Sequence, residues 1–443
     1  MTGAALGVWL GAMVSAQPCQ PYWVRPIQQP ILGGAYSLAV FDDGSGLALY
    51  AGGGMRPSPS SLWVPFGRWS GRALTYLDKG LLLGASGNIW IANAGTAQTV
   101  YGWCSVFQYP PAPPFLRKEW APPSWVDPNQ VFYGKRGAPA LSYDDGSELI
   151  IYGLIPDYAP YSPHDGTVAR WTGTKWEPLG NPAFGHVYRD AMIVYDDGSG
   201  PTLHVATPSG AHAAKWNGNK WIDLPDLPGI GHAPAGVYDL CVYDSGSGPE
   251  LYFAGSGSGT PGGIVRWNGT EWRDVGGGFA PPGPASVYGA HAMEVFDDGT
   301  GPALFVTGSF AYAGGAPARN IAKWDGTRWH PLGAGLAPPG QALAVYDDGR
   351  GLSLFVGLTF GAAGPGSPAS VGAGEAAVLA QWVGCIGQCY PDCNNDGAVT
   401  VADFGCFQTK YVSRDPYADC NVDGAFAPAD FACFQGKYVL GCP

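Results

Sequence analysis

The sequence predicts an all-β body of repeated four-stranded units closed into a ring, followed by a small helical unit built around calcium loops. Three observations predict it: a turn motif that returns about every 50 residues, a composition suited to tight turns, and a duplicated acidic loop near the C-terminus. Gly and Pro supply 69 and 41 of the 443 residues, and only 13% of residues are charged. Both residue types break helix interiors and populate turns, so many short strands are favoured over helices. With 46% hydrophobic residues and 17 Trp the chain has the apolar mass for a large core.

Residues 1–16 read as an export signal. An apolar stretch from Ala4 to Val14 runs into the small-residue cleavage site Val14-Ser15-Ala16, leaving Gln17 as the first mature residue. Only the α-amino group supplies positive charge ahead of it, and the competing reading is a buried strand or helix. No other stretch is long and apolar enough to span a bilayer, so no membrane span is expected once the signal is removed. The mature protein is expected outside the cell, secreted or attached to the surface, where its ten cysteines would form disulfides. The net charge of −12, with no Lys/Arg-rich run, argues against nucleic acid as a partner.

The body spans 17–384. Six segments share one pattern, ending at Val40-Phe41-Asp42-Asp43-Gly44, Ser142-Tyr143-Asp144-Asp145-Gly146, Val194-Tyr195-Asp196-Asp197-Gly198, Val242-Tyr243-Asp244-Ser245-Gly246, Val295-Phe296-Asp297-Asp298-Gly299 and Val345-Tyr346-Asp347-Asp348-Gly349. The double gap after Asp42 holds a degraded copy, Leu77-Asp78-Lys79-Gly80 before Leu81-Leu82-Leu83, which makes seven. A second signature is a Trp pair around a Gly turn: Trp171/Trp176, Trp216-Asn217-Gly218 with Trp221, Trp267-Asn268-Gly269 with Trp272, and Trp324/Trp329, with Trp63/Trp69 and Trp120/Trp125 as looser versions. A two-residue hairpin turn would set the two Trp opposite each other on adjacent strands.

Each unit therefore reads as an alternating strand, an Asp-Asp-Gly hairpin, an apolar strand, a loop and the Trp hairpin. Such a sheet cannot bury both faces alone, and a closed ring hides the end faces that a linear stack would expose. The expected fold is a seven-bladed β-propeller. The last repeat has Trp382 and no second Trp before the chain leaves at Cys385; Tyr22-Trp23-Val24 would supply the missing outer strand, with a Cys19–Cys385 disulfide in place of the hairpin turn.

The Asp-Asp-Gly turns read as turn formers rather than metal sites, because no further ligand recurs at fixed spacing. The Trp stripe reads as packing rather than a sugar platform. Irregular segments are better candidates for a ligand or protein at the rim: an insertion from Asn93 to Glu119 with Tyr101, Trp103, Phe107 and Tyr109, and the loops Ser256–Gly262 and Gly361–Gly374. The seven histidines show no metal-ligand spacing and no nucleophile elbow accompanies them. Asp190, Asp239 and Glu294 stand near inner-strand positions, at offsets from the turn that need not put them on one face, and no catalytic residue is assigned.

After a short linker at 385–391, residues 392–443 form the second unit. Asp392, Asn394, Asp396 and Asp403 stand at loop positions 1, 3, 5 and 12 with Gly397 at the sharp bend. Ala398 would give a backbone carbonyl and Thr400 the position often bridged by water. The set repeats 27 residues later as Asp419, Asn421, Asp423, Ala425, Ala427 and Asp430, so two Ca²⁺ ions are expected. Each loop enters a short helix with aromatics at i, i+3 and i+7, Phe404/Phe407/Tyr411 and Phe431/Phe434/Tyr438, which suits face-to-face packing. Six cysteines beyond Cys385 allow 15 connectivities. The pairing favoured by the internal repeat is Cys393 with Cys406 and Cys420 with Cys433, with Cys389 clasping Cys442; Cys104 and Cys241 are left without an assigned pairing.

Duplicated loops ending in Asp, each followed but not preceded by a helix, resemble type I dockerins, and the Gly441-Cys442 ending resembles a Cys-rich anchoring variant of exported bacterial proteins. The resemblance covers about 50 residues. It implies binding to a cohesin-like or cell-envelope protein through loop positions 10 and 11 and the following helix: Val401, Ala402, Pro428 and Ala429, with Lys410 and Lys437 on the docking face. These positions lack the hydroxyl pair common in cellulosomal dockerins. The expected function is a non-enzymatic binding or display protein held by this tail. The alternatives are a polysaccharide-degrading glycoside hydrolase, the usual cargo of dockerins, and a glycan-binding module using the Asn93–Glu119 aromatics.

Overall fold

The computed structural model describes residues 21–27, 32–42, 46–56, 64–71, 73–77, 86–94, 97–105, 115–121, 124–126, 138–144, 149–156, 165–172, 175–183, 185, 187–188, 191–207, 211–230, 236–257, 262–281, 283, 288–348, 351–359, 378–384, 393, 400–412, 418, 420 and 427–440. The chain divides into two compact units, with Tyr22–Gly384 as the body and the helices in the other.

In the body, β1 (Tyr22–Val24) precedes a sheet of β2–β5 (Leu32–Asp42, Leu47–Arg56, Val64–Trp69, Leu74–Leu77). A second sheet holds β6–β9 (Ser86–Ala94, Ala97–Ser105, Phe115–Ala121, Ser124–Val126). The third holds β10–β13 (Ala138–Asp144, Leu149–Pro156, Asp165–Trp171, Trp176–Pro178), with β14 (Val187–Tyr188) paired onto β12. The fourth is β15–β18 (Met192–Asp196, Pro201–Ala206, Ala213–Trp216, Trp221–Asp223), and the fifth β19–β22 (Val237–Asp244, Pro249–Gly255, Ile264–Trp267, Trp272–Arg273). The small strands β23 (Phe279–Ala280), β26 (Tyr312–Ala313) and β27 (Ala316–Pro317) pair beside the sixth sheet, β24, β25, β28 and β29 (Gly289–Asp297, Pro302–Ser309, Ile321–Trp324, Trp329–Pro331). The last sheet joins β30–β32 (Gly340–Asp347, Leu352–Leu358, Leu379–Val383) to β1. All these pairings are antiparallel, and the build is propeller-like.

The Trp hairpins form as expected. Trp171↔Trp176, Trp216↔Trp221, Trp267↔Trp272, Trp324↔Trp329 and Trp120↔Trp125 are direct cross-strand partners. Their turns close through an Asx cap: the Asn217, Asn268 and Asp325 side-chain oxygens accept backbone N–H bonds from the residues two and three positions on. Two placements differ from the sequence reading. The partner of Trp69 is Leu74, with Ser70 N–H bonding Ala73 O across the turn, and Trp63 lies outside the described residues. The hairpin between the first two strands of the second sheet is Ala94–Ala97, and the segment after Leu77 connects two sheets instead. An Asp-Lys-Gly turn suits either job, so turn chemistry alone misplaced it.

Among the described side chains of the body, the core lies between sheets. The clusters of buried side chains each straddle two neighbours: Leu154 and Val168 with Met192 and Val205; Tyr195 and Ala206 with Leu251 and Phe253; Tyr252 and Ala254 with Leu304 and Val306; Phe305 and Ile321 with Leu354 and Val356; and Leu49 and Trp69 with Tyr346 and Phe355. The last of these joins the final sheet to the first. The first strands touch in the same order, β2 to β6, β10, β15, β19, β24 and β30, and β30 touches β2.

Two kinds of hydrogen bond stitch the interfaces, and both occur between the fourth and fifth and between the fifth and sixth sheets. The indole N–H of the outer-strand Trp reaches a carbonyl of the preceding sheet: Trp221 to Gly180 O at 3.0 Å, Trp272 to Pro225 O at 2.9 Å, Trp329 to Val275 O at 2.8 Å and Trp23 to Leu332 O at 2.9 Å. A first-strand tyrosine hydroxyl reaches the following sheet: Tyr195 to Pro249 O at 3.0 Å, Tyr243 to Pro302 O at 2.9 Å and Tyr346 to Leu47 O at 3.0 Å. The pairing expected for the N-terminus is present, with Tyr22↔Val383, Trp23↔Trp382 and Val24↔Gln381 in register and the two indoles 5.0 Å apart edge to face. Cys19 and Cys385 lie outside the described residues.

Trp23→Ala removes one latch and the indole contact, so a loss of roughly 2–4 kcal/mol is expected in chemical unfolding, against about 1 kcal/mol for Tyr346→Phe. Wild-type stability in the Trp23 variant would exclude the seal.

Candidate functional site

The body has two unlike ends. One carries the Asp turns. There the first Asp folds back on its own loop: Asp196 Oδ1 accepts from Gly198 N and Gly200 N, both at 2.9 Å, and Asp244 and Asp297 do the same for Gly246/Gly248 and Gly299/Gly301. The second Asp points into the sheet toward the Lys before the first Trp. Asp197 pairs with Lys215, and Asp298 receives Lys323 at 2.7 and 2.8 Å together with the Trp382 indole N–H at 3.0 Å. Burial alone would raise these two carboxyls, but the bound ammonium and the other donors outweigh it and hold both below their ordinary range. Where Ser245 replaces the second Asp, buried Glu250 pairs instead with Arg266 at 2.8 Å. These carboxylates are turn caps and interior ion pairs.

The opposite end is irregular. First strands begin where second strands finish, as in Val237↔Gly255 and Gly289↔Ser309, so the connections after the second strands share this end with the first-strand starts. Here five first strands break register: between Ala35 and Ser37, Pro139 and Leu141, Val237 and Asp239, Ala290 and Ala292, and Gly340 and Ala342. The displaced residues are Tyr36, Ala140, Tyr238, His291 and Gln341. Bulges re-aim side chains and are common beside binding sites. The Tyr238 and His291 rings meet edge on at 5.9 Å, and the Gln341 amide lies 2.6 Å from His291 Nδ1, which is also 3.0 Å from Gly340 O. Burial lowers the His291 pKa, so the ring is neutral at physiological pH.

Beneath this row sit the inner-strand acids. Asp239 is committed to the backbone, accepting from Leu240 N at 2.8 Å and from Met293 N of the next sheet at 2.6 Å. Glu294 is pushed up to about 7 by burial. Burial, with the charges of Asp239 and Glu294, also raises the Cys241 thiol well above its usual value. Although the turn offsets of the two acids differ, both act on one thiol: Asp239 and Glu294 stand five and three residues ahead of their turns in regularly paired strands, positions of the same parity that share one face. Asp190 lies outside the described residues. Cys241 is a free thiol; no pairing with Cys104 is described.

The sequence-based rim segments fare differently. Asn93–Glu119 is largely regular: Tyr101 and Trp103 belong to β7, opposite Glu119 and Arg117 of β8, so this is a hairpin of the second sheet rather than an insertion. Its aromatic density is that of a strand. Phe107, Tyr109 and Gly361–Gly374 lie outside the described residues. The Ser256–Gly262 loop is pinned at both described ends, through bridges of Ser256 to Gly289, Gly257 to Ile230 and Gly262 to Phe279. A cleft of about 220 Å³ opens beside it, lined by Trp272, Arg273, Asp274 and Ile264 among others.

In the C-terminal unit, α1 (Val401–Val412) and α2 (Pro428–Leu440) meet through their aromatic faces, with Phe407 and Phe434 fully buried and stacked at 4.0 Å. Disulfides Cys393–Cys406 and Cys420–Cys433 are the two pairings favoured by the internal repeat. Asp403 and Asp430 are fully buried and accept from Thr400 N at 2.7 Å and Ala427 N at 2.8 Å, capping the helices they open. Val401, Ala402, Pro428 and Ala429 are exposed, and Lys410 is half-buried. Asp392, Asn394, Asp396, Ala398, Asp419, Asn421, Asp423 and Ala425, with Cys389, Cys442 and the Lys437 side chain, lie outside the described residues. No helix among the described residues is long and apolar enough to cross a membrane.

No family model matches the chain, and no curated protein matches its sequence. Among solved structures, YCF48 bound to D1 peptide aligns with 83% of this chain and 99% of its own at 13% identity and a TM-score of 0.39. YCF48 from Cyanidioschyzon merolae aligns over 82% and 99% at 11% identity and 0.41, and a luciferin-regenerating enzyme over 82% and 96% at 10% and 0.35. At these identities and scores the similarity assigns no activity or partner to this chain.

The titrations oppose each other in sign. Glu294 holds its proton in the folded state up to about pH 7, so its contribution falls as pH rises from the ordinary carboxyl range to about 7 and stays lost above it. His204 and His291, depressed by burial, act the other way: the unfolded chain takes their protons first, and stability falls as pH drops below about 6.5. Glu294→Gln should therefore raise stability at pH 8 by on the order of 1–3 kcal/mol and leave it unchanged at pH 4, measured by urea unfolding. An equal effect at both pH values would show that Glu294 is not held protonated.

Proposed function

We propose that this is an exported, non-enzymatic binding or display protein: a closed seven-bladed β-propeller whose loop-bearing end meets a ligand or protein partner, held in place by a calcium-dependent dockerin-like tail. The observation that carries the reading of the body is the contrast between its ends. Among the described residues, the carboxylates of the Asp-turn end are consumed by the fold as turn caps and interior ion pairs, while the other end varies from sheet to sheet. The ring of first-strand contacts, closed between β30 and β2, supports the seven-bladed form.

The tail reading rests on the doubled ligand spacing in the sequence together with the paired helices. Buried Asp403 and Asp430 stand where the twelfth ligand of each loop is expected, with exposed residues at positions 10 and 11 beside them. A unit with so small a core needs cross-links and cations for stability. The partner this tail would meet is a cohesin-like or envelope protein.

Calorimetry of the full chain should show two calcium sites, absent in the Asp396→Ala/Asp423→Ala protein, and retention on native cell envelope should be lost in EDTA. Retention unchanged by chelator, or in the double variant, would sink the anchoring role.

A second reading, a polysaccharide hydrolase, is favoured by one observation: Glu294 has the raised pKa of a general acid. Against it, both Asp239 oxygens already accept backbone N–H groups. Hydrolysis of a polysaccharide panel by the wild type that disappears in Glu294→Gln would establish this reading in place of the first.

A further inference from the structure

The four bulge residues that carry polar or aromatic side chains share one register. Tyr36, Tyr238, His291 and Gln341 each stand six residues ahead of the first Asp of their turn, at Asp42, Asp244, Asp297 and Asp347. They belong to β2, β19, β24 and β30, and β19 touches β24, β24 touches β30 and β30 touches β2. The four side chains therefore sit at one level on a contiguous arc of first strands. Tyr238 and Tyr36 end the arc and are each 37% exposed, a large fraction for aromatic rings on central strands. Between them lie the imidazole and the amide, already joined to each other. By sequence spacing Asp190 is the fourth sheet's counterpart; it lies outside the described residues and is left out of the site.

The chemistry of this arc narrows what it takes. Its four side chains are all uncharged, so among the described residues of the arc phosphate or carboxylate groups find no counter-charge, and none of the four is aliphatic. It does offer a part-exposed aromatic ring at each end and neutral hydrogen-bonding groups between them. His291 Nδ1 either donates to Gly340 O or accepts the Gln341 amide N–H, and in both tautomers Nε2 is the ring nitrogen outside that contact, while the amide keeps its oxygen. A molecule with apolar ring faces and a rim of hydroxyls matches both features, because C–H faces stack on phenol rings while hydroxyls both donate and accept. Rigid strands hold the groups, so little ordering entropy opposes binding.

We infer that the arc Tyr36, Tyr238, His291 and Gln341 is a binding site for a neutral oligosaccharide. This rests on the reading of the body as a binding propeller and adds the site and its ligand class. Binding at the arc is independent of calcium, since it contains no metal ligand.

The test is titration calorimetry of the full-length protein with cellohexaose, xylohexaose, mannohexaose and chitohexaose, with polygalacturonate as the charged counterpart. At least one neutral hexasaccharide should bind. Tyr238→Ala and Gln341→Ala should each weaken it tenfold or more, and Tyr36→Ala threefold or more. Tyr238→Phe, which keeps the ring, should stay within threefold of wild type, as should Tyr312→Ala, an exposed tyrosine elsewhere, and wild type in EDTA. Tyr36 is exposed, so its variant reports on the site even if a more buried change unfolds the protein. Binding of none of the neutral probes, binding of polygalacturonate alone, or arc variants that bind like wild type would overturn the site. If arc variants instead lost a protein partner while no sugar bound, the arc would be a peptide site and the inference would fail. EDTA-sensitive retention on envelope, scored in the same variants, separates the two claims: its survival alongside absent sugar binding leaves the anchored binding protein standing without this site.

Discussion

The body depends on hydrogen bonds that leave one sheet and end on the backbone of the next. The outer-strand Trp23, Trp221, Trp272 and Trp329 and the first-strand Tyr195, Tyr243 and Tyr346 each place a large ring in an interface and then spend their single N–H or O–H on a carbonyl across it. The ring supplies apolar burial, and the polar tip fixes register. Because buried clusters always span two sheets, a sheet without neighbours would expose half of what it buries. The assembly is thus cooperative around its circumference, and the interface joining the last sheet to the first must be as good as the rest. It is: Leu49, Trp69, Tyr346 and Phe355 fill it, and Tyr346 bonds to Leu47 O.

Much of this was legible from sequence. Tryptophans flanking a Gly turn leave little choice but to face each other, and a repeat missing one Trp at its end while a stray Tyr-Trp-Val begins the chain points to the pairing seen for β1. The tail's aromatic spacing and its cysteines, repeated with the loops, likewise foretold the stacked helices and the two disulfides. What escaped had no recurring residue type. A bulge adds no characteristic residue, so Tyr36, Tyr238, His291 and Gln341 share a position but not a residue type. Their constant distance from the turn was the available signal. The second Asp of each turn was read as turn chemistry alone, although the Lys before the first Trp in Lys215-Trp216 and Lys323-Trp324 answers it across the sheet.

The two ends of the body divide labour between stability and recognition. Carboxylates at one end are neutralised by N–H groups and ammonium ions, so that end has little chemistry to offer. At the other, strand irregularity frees one side chain in each of five sheets from the packing pattern. Asp239 and Glu294 mark the boundary between the regimes: the first stitches its sheet to the next, and the second has its pKa pushed up to about 7 by burial.

The position of β1 has a consequence for how the protein is made. Trp23 is among the first body residues to leave the ribosome, and its partner Trp382 is among the last. Bringing together segments some 360 residues apart costs about 5 kcal/mol of chain entropy when the intervening chain is unstructured, and far less once the sheets between them have stacked. Synthesis therefore favours an order in which the middle of the chain condenses first and the oldest segment is tucked in at the end, like the tail of a wreath. Until then the final sheet lacks its outermost strand, and its unsatisfied edge is the point at which a second chain would intrude.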